Sequence, residues 1–252
     1  MTTVDLNADL GEGYGNWVAG DDEAMLDVVT SANIACGFHA GDPSTLRRVC
    51  AAAAERSVRI GAQVSFPDLA GFGRRHMVIP AAELTDIVLY QLGALDAFAQ
   101  VAGTAVTYVK PHGALYHAAA GDPEIASAVV SAIISYDPSM AVLGPPGSAL
   151  LAVSIDRGLE AVSEGFADRA YLPDGNLMPR SEAGAVLHDP AEVAARSVQM
   201  VASQSVQADD GSTIPLPIRS LCVHGDSPDA VALARAVRNA LDDAGVGVHP
   251  FT

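Results

Sequence analysis

The chain has 252 residues, 50% of them apolar and only 17% charged, so it can bury a large core and is not an intrinsically disordered segment. Fourteen Lys and Arg against 30 Asp and Glu leave a formal charge of −16. That field repels phosphate backbones and anionic lipid, which argues against a nucleic-acid partner or a membrane-surface role.

The sequence opens on a strand-like run, Val4–Asp9, with no basic and apolar leader before it, so no secretory signal is expected. Further strand candidates follow at Ser31–Cys36, Arg59–Val64, Ala105–Lys110, Met140–Leu143, Glu160–Ser163 and Ser220–Val223. Between them apolar residues recur at helical spacing: Leu84, Val88, Gln91, Leu95 and Phe98; Ile125, Val129 and Ile133; Ala230, Leu233, Ala234, Val237 and Leu241. Asp42-Pro43, Asp122-Pro123, Asp189-Pro190 and Ser227-Pro228 each offer a capping side chain followed by a proline fit for the first helical turn. Gly245 is placed to end the last helix.

The uncharged stretch Pro138–Ile155 is interrupted by Gly144-Pro145-Pro146-Gly147, which does not suit a membrane span, and a soluble cytoplasmic protein is expected. Ser203–Pro217, with Asp209-Asp210-Gly211, reads as an exposed hairpin or loop. Cys36, Cys50 and Cys222 lack metal or disulfide spacing and read as small buried side chains in a reducing compartment. Strands alternating with helices imply parallel pairing through right-handed crossovers. With no linker or change of composition, residues 1–252 are expected to form one α/β domain, a (β/α) barrel of about seven parallel strands. A doubly wound open sheet is the alternative.

Polar residues gather just past the predicted strand ends, where parallel barrels and sheets build their sites. In chain order these are Asn7, Asp9 and Glu12; Asn33, His39 and Asp42; Gln63, Asp68, Arg74 and Arg75; Lys110, His112, Tyr116 and His117; Glu164, Asp168 and Arg169; His224 and Asp226. Lys110 is the only lysine in the chain, every other fixed cation being arginine. A desolvated lysine can exchange a proton or hold an anion as a compact charge, and the neighbouring His112 titrates near neutrality.

Asp9 and Glu12 flank Gly11 and can act as a general acid/base pair or as turn formers. Asp42 is explained equally well by capping. Asp9, His39, His112 and His224 also suit a divalent metal, but no local HxxxH or HExxH spacing supports it and no metal ligand is assigned. His76, His188 and His249 read as solvated loop residues. Gly11-Glu12-Gly13-Tyr14-Gly15 and Gly144-Pro145-Pro146-Gly147 lack a phosphate-loop spacing and read as turns, so no self-contained nucleotide site is visible.

These motifs resemble the LamB/YcsF family in DLNADLGEGYG (5–15), SANIACGFHAGDP (31–43), PDLAGFGRR (67–75), VKPHGALY (109–116), EGFADRAY (164–171), Asp174-Gly175 with Arg180, and CVHGDSP (222–228). One departure is Gln63-Val64, where the family often has His-Pro, so no proton transfer is assigned to position 63. The resemblance implies a barrel akin to the glycoside hydrolase/deacetylase barrels. It further implies the A component of a three-subunit 5-oxoprolinase that opens 5-oxo-L-proline to L-glutamate while hydrolysing ATP, with Mg2+, to ADP and phosphate. Subunits B and C are then the partners.

On that reading Asp9, Glu12, Lys110 and His112 are the expected catalytic residues: Asp9 or Glu12 for the attacking water, Lys110 and His112 for developing oxygen charge or the leaving nitrogen. Asn7, Asn33, His39, Arg74, Arg169, His224 and Asp226 are expected to bind substrate, Arg74 or Arg169 taking its carboxylate. The rival readings are a stand-alone metal-dependent hydrolase and a binding subunit without catalysis of its own.

Overall fold

The computed structural model describes residues 2–224 and 229–252. Seven parallel strands close into a ring: β1 (Thr3–Leu10), β2 (Ser31–Ala35), β3 (Arg59–Val64), β4 (Val106–Pro111), β5 (Ala141–Gly144), β6 (Ala161–Phe166) and β9 (Ser220–Val223). Closure is made by β9, which pairs with β6 on one side and with β1 on the other, Asp5 lying opposite Ser220. The expected barrel is the observed one. A hairpin, β7 (Ser205–Gln207) with β8 (Thr213–Pro215), occupies the stretch read as hairpin or loop, and its Val206 and Ile214 are buried against the core.

The short β10 (Gly247–Val248) pairs with the start of β1 and brings Phe251 edge-on against Tyr108, 4.9 Å between ring centroids, at the amino-terminal mouth of the barrel. Two residues of pairing carry too little pattern to be seen in a sequence.

The helices clothe the ring: α1 (Asp22–Leu26), α2 (Pro43–Glu55), α3 (Ala81–Val101), α4 (Gly113–Gly121), α5 (Pro123–Tyr136), α6 (Ala149–Asp156), α7 (Pro190–Ser203) and α8 (Ala230–Asp243). Asp42, Asp122 and Asp189 cap α2, α5 and α7 as expected, each accepting backbone N–H bonds ahead of a first-turn proline. Asp42 therefore serves the fold, and it also accepts from Gly15 N at 2.8 Å. Ser148 caps α6, so the Gly144–Gly147 turn positions a helix. Gly245, at φ +72°, follows the end of α8 in the left-handed conformation. The expected Ser227-Pro228 cap lies outside the described residues. Among those residues no helix is long and apolar enough to cross a membrane.

Side chains alternate across a strand, so β1 sends Val4, Leu6, Ala8 and Leu10 to the helices and Asp5, Asn7 and Asp9 into the barrel. Parallel barrels usually fill their interior with branched apolar residues. Here the wall around β1 is a polar column instead. At its base Thr30, Ser31 and Ser220 hydroxyls all donate to the Asp5 carboxylate. One layer up, Asn33 Nδ2 donates to Asn7 Oδ1 at 2.8 Å, Asn7 Nδ2 donates to Ser220 Oγ at 2.7 Å, and Tyr108 Oη donates to Asn33 Oδ1 at 2.6 Å. Tyr108 fits because β3 carries Gly61 beside it; a Cβ there would lie 2.1 Å from the ring.

Candidate active site

The polar column opens at the carboxyl end of the barrel into a cavity of about 410 Å³. Its floor is Lys110, whose ammonium is buried among groups from three strands. Nζ lies 2.8 Å from Glu164 Oε2, 3.2 Å from Asn7 Oδ1, 3.3 Å from Cys222 Sγ and 3.4 Å from Asp9 Oδ1, with the Phe166 ring centroid 5.2 Å away. Burial alone pushes an ammonium toward neutrality, but Asp9, Cys222 and Glu164 outweigh it and hold the Lys110 pKa well above its ordinary value. Lys110 is thus a fixed cation at neutral pH, which favours the anion-holding role over proton exchange. Burial raises Asp9 in the same way, yet Lys110, His112, His224 and the 2.8 Å bond from Asn33 carry its pKa far below the usual carboxylate range.

β6 runs on to Phe166, so Glu164 sits within the barrel wall rather than beyond a strand ending at Ser163. Its pKa is raised by burial, with Lys110 opposing.

A second group lies on the β1–β4 side. Glu12 follows β1, His39 lies in the β2–α2 loop, Gln63 is on β3 and His112 immediately precedes α4. Gln63 Nε2 donates to Glu12 Oε1 at 3.0 Å, and Gln63 Oε1 stands 3.1 Å from His39 Nε2. His112 Nε2 is 3.6 Å from Glu12 Oε1, and the two imidazoles stack with centroids 4.4 Å apart. Burial lowers the pKa of His39 to about 4 and that of His112 well below its ordinary value, so both rings are neutral at pH 7. Among the described residues Glu12, His39 and His112 bring one ligand atom each within 4.8 Å of one another.

The third group is a dyad. His224, after β9, stacks on Phe166 and places Nδ1 2.9 Å from both carboxylate oxygens of Asp168, after β6. Burial raises the Asp168 pKa, but His224 overcomes it and the net shift is downward. An imidazole held by a carboxylate at Nδ1 has a fixed tautomer and presents Nε2 elsewhere.

The excursion between β6 and α7 forms the remaining wall, contributing Leu177, Met178 and Arg180. Arg169 lines the cavity, yet its guanidinium donates to Ala185 O at 3.1 Å and Met178 O at 2.6 Å, bracing that excursion. Arg196 on α7 braces it from outside through Phe166, Ala167 and Arg169 carbonyls. Arg74 lies at the mouth with its guanidinium 5.0 Å from the Phe72 centroid.

Of the sequence-predicted residues, Asp9, Glu12, Arg74, Lys110, His112, Arg169 and His224 line this one cavity, while Asn7 and Asn33 lie beneath it as supports and His39 stands behind His112. Asp226 is outside the described residues. Cys222, read as inert, touches Lys110. Glu164 and Asp168 are legible at a strand end but take no role from the sequence, because their partners Lys110 and His224 lie 54 and 56 positions away. Asp68 instead bonds Arg75, away from the cavity lining.

The sequence pattern that defines the LamB/YcsF family matches residues 4–252. The chain belongs to that family. Among its relatives, the 5-oxoprolinase A subunit of Streptomyces griseus subsp. griseus is 60% identical over 248 residues, covering 98% of this chain and 99% of that one. The protein of the same name from Mycolicibacterium gilvum is 57% identical over 252 residues, with both chains fully covered. The lactam utilization protein of Thermus thermophilus superposes with a TM-score of 0.94 at 44% identity, covering 99% of this chain and all of the other. The Bc1960 peptidoglycan N-acetylglucosamine deacetylase, at 10% identity and a TM-score of 0.50, covers 98% of this chain and 84% of its own and shares the fold alone. The resemblance in the motifs therefore holds over the whole family-matched length.

Proposed function

We propose that the chain is the A subunit of an ATP-dependent 5-oxoprolinase and carries the site at which the lactam of 5-oxo-L-proline is opened to L-glutamate. The observation that carries the reading is the buried Lys110 cluster opening into a cavity with arginines at its mouth and two imidazole groups on opposite sides. Subunits B and C are its partners and take up ATP with Mg2+. In support, the Gly-rich turns of this chain serve its own loops and helix caps, and the relatives bear a name that marks one component of a larger enzyme.

An unactivated amide is a poor electrophile. Transfer of the ATP phosphoryl group to the ring carbonyl oxygen makes that oxygen a leaving group and leaves the ring carbon open to water. The Lys110 ammonium, fixed and desolvated, faces the oxygen on which negative charge gathers. Arg74 takes the substrate carboxylate at the mouth; Arg169, occupied by backbone carbonyls, shapes the wall that holds the ring. Water enters from the Glu12–His112 side, where a neutral imidazole can accept its proton. The ring nitrogen departs toward His224, and Asp168 stabilises the imidazolium that donates to it. Bond for bond, the phosphoryl group passes to the carbonyl oxygen as ADP leaves, one water oxygen joins the ring carbon, the carbon–nitrogen bond breaks with nitrogen taking the proton, and a second water cleaves the resulting acyl phosphate to glutamate and phosphate.

The test is glutamate formation from 5-oxo-L-proline by the reconstituted three-subunit enzyme with ATP, with and without this chain, and with Asp9→Asn and Lys110→Met. Turnover that depends on this chain and falls in both variants is expected. Folded variants that sustain full turnover overturn the assignment of the site.

A further inference from the structure

We infer that Glu12, His39 and His112 form a binding site for one divalent first-row transition ion of the zinc class. The donor set is one carboxylate oxygen and two imidazole nitrogens, the borderline mixture that suits such ions rather than magnesium or calcium. The three donors sit within 4.8 Å of one another in a buried corner of the cavity.

Two independent features point to a missing ligand. The Glu12 carboxylate accepts from the Gln63 amide nitrogen, so the amide oxygen must face His39, and it can only accept the His39 Nε2 proton. That tautomer leaves the His39 Nδ1 lone pair bare, and His39 Nδ1 is buried with no hydrogen-bond partner. His112 Nδ1 is buried and unpartnered as well. Buried polar atoms without partners are rare enough that each calls for a cause, and the bare His39 Nδ1 lone pair, on a ring stacked against His112, is such an atom.

The surroundings are also those of a held site. Phe72 packs edge-on to both rings, at 5.9 Å and 5.4 Å. The backbone at Gly73 presses so close that a Cβ would lie 2.3 Å from Ser65 Oγ and 3.2 Å from His112 Nδ1. Both imidazoles are neutral at pH 7, the form that ligates without first releasing a proton.

Three protein donors leave a fourth position for water, the pattern of zinc sites that perform hydrolysis rather than merely hold a fold. Bound there, the ion would acidify the water on the side of the cavity from which the proposed lactam opening takes its nucleophile, replacing His112 as the group that activates it. That consequence rests on the proposed function; the binding itself does not.

The experiment uses the full chain, stripped with a chelator and titrated with Zn2+ by calorimetry, and with Co2+ by visible absorption. One equivalent per chain is expected, with a tetrahedral or five-coordinate Co2+ spectrum. Glu12→Gln, His39→Asn and His112→Asn, checked for folding by circular dichroism, should each weaken binding about 100-fold or more, beyond the 10–100-fold of a lost supporting residue. His76→Asn, in an exposed loop, should leave binding unchanged. Gln63→His, which adds an imidazole between Glu12 and His39, should bind more tightly. Substoichiometric binding by the unaltered chain, binding that survives loss of His39 and His112, or a Gln63→His chain of unchanged affinity each overturns the site. Because the readout is binding, loss of oxoprolinase turnover with intact binding would count against the proposed function alone.

Discussion

Replacing Lys110 by methionine keeps the length and apolar stem of the side chain and removes the charge. In the wild type Nζ lies 2.8 Å from Glu164 and 3.4 Å from Asp9, and the lysine is 3% exposed. At an effective dielectric constant of about 20 these attractions come to roughly 6 and 5 kcal/mol before the desolvation of three ions is subtracted. What the substitution exposes is the reverse problem: two carboxylates buried beside each other with no cation between them. Breaking a buried pair in this way costs about 3–5 kcal/mol, a large part of the roughly 5–15 kcal/mol that a whole domain has in hand.

The loss carries a pH signature. Asp9 in the wild type has a depressed pKa, so its contribution to stability is present above the unfolded value and disappears as pH falls through the folded one. In Lys110→Met both carboxylates rise and take up protons readily, so acidification relieves the variant while it weakens the wild type. Urea unfolding at pH 7 and near the unfolded carboxylate pKa, about 4, should show a deficit of about 3–5 kcal/mol that narrows at the lower pH. Adding Glu164→Gln should restore part of it. A deficit under about 1 kcal/mol, the scale of an exposed pair, or one independent of pH, would show that Lys110 does not balance these acids.

Gly61→Ala should displace the Tyr108 ring, which its Cβ would meet at 2.1 Å, and lower stability by at least the ~1–3 kcal/mol of an overpacked core; thermal or urea unfolding checks this. Asp168→Asn should free the His224 tautomer and, if His224 acts on the leaving nitrogen as proposed, reduce kcat for glutamate release by about 10²–10⁴-fold with little change in KM. Burial, only partly offset by the Ser220, Ser31 and Thr30 hydroxyls, raises the Asp5 pKa to about 6, so the folded chain holds a proton that the unfolded chain has released. Stability should therefore fall as pH rises from the unfolded Asp value, about 3.9, toward 6. Asp5→Asn should flatten that limb of a stability–pH profile.

The parts of this structure that are legible in the sequence are those written in local pattern. The seven barrel strands are visible because each is a short apolar or β-branched run, and α2, α5 and α7 because an aspartate and a proline mark each start. The site as a convergence is legible for the same reason: once strands are parallel, their carboxyl ends share a face.

Pairings are not legible. Nothing near Lys110 in sequence announces Glu164, and the partner of His224 is decided only when β9 closes the ring between β6 and β1. Glu164 is further obscured by a strand reading that ends at Ser163, because Glu164-Gly165 interrupts the apolar run that continues structurally to Phe166. A clearer clue lies in β1 itself. Asp5, Asn7 and Asp9 alternate with Leu6, Ala8 and Leu10, a period of two that says one face of a buried strand is polar.

That polar interior explains why a chain that otherwise uses only arginine carries one lysine. The groups around Nζ come from β1, β6 and β9 and close on a single point within 3.4 Å. A compact ammonium can sit among them with its three protons directed to different strands, whereas a guanidinium spreads its donors over a plane and would force the strands apart. The mouth has the opposite requirement. Arg74 and Arg180 stand there, with Arg169 in the wall, on a chain of formal charge −16, and a planar fork that never loses its proton suits capture of a carboxylate against that background. The floor thus sets one ammonium against two carboxylates and holds no surplus positive charge with which to draw in an anion. On the proposed function, attraction for the substrate carboxylate then resides in the few arginines of the rim, and the chemistry in the groups beneath them.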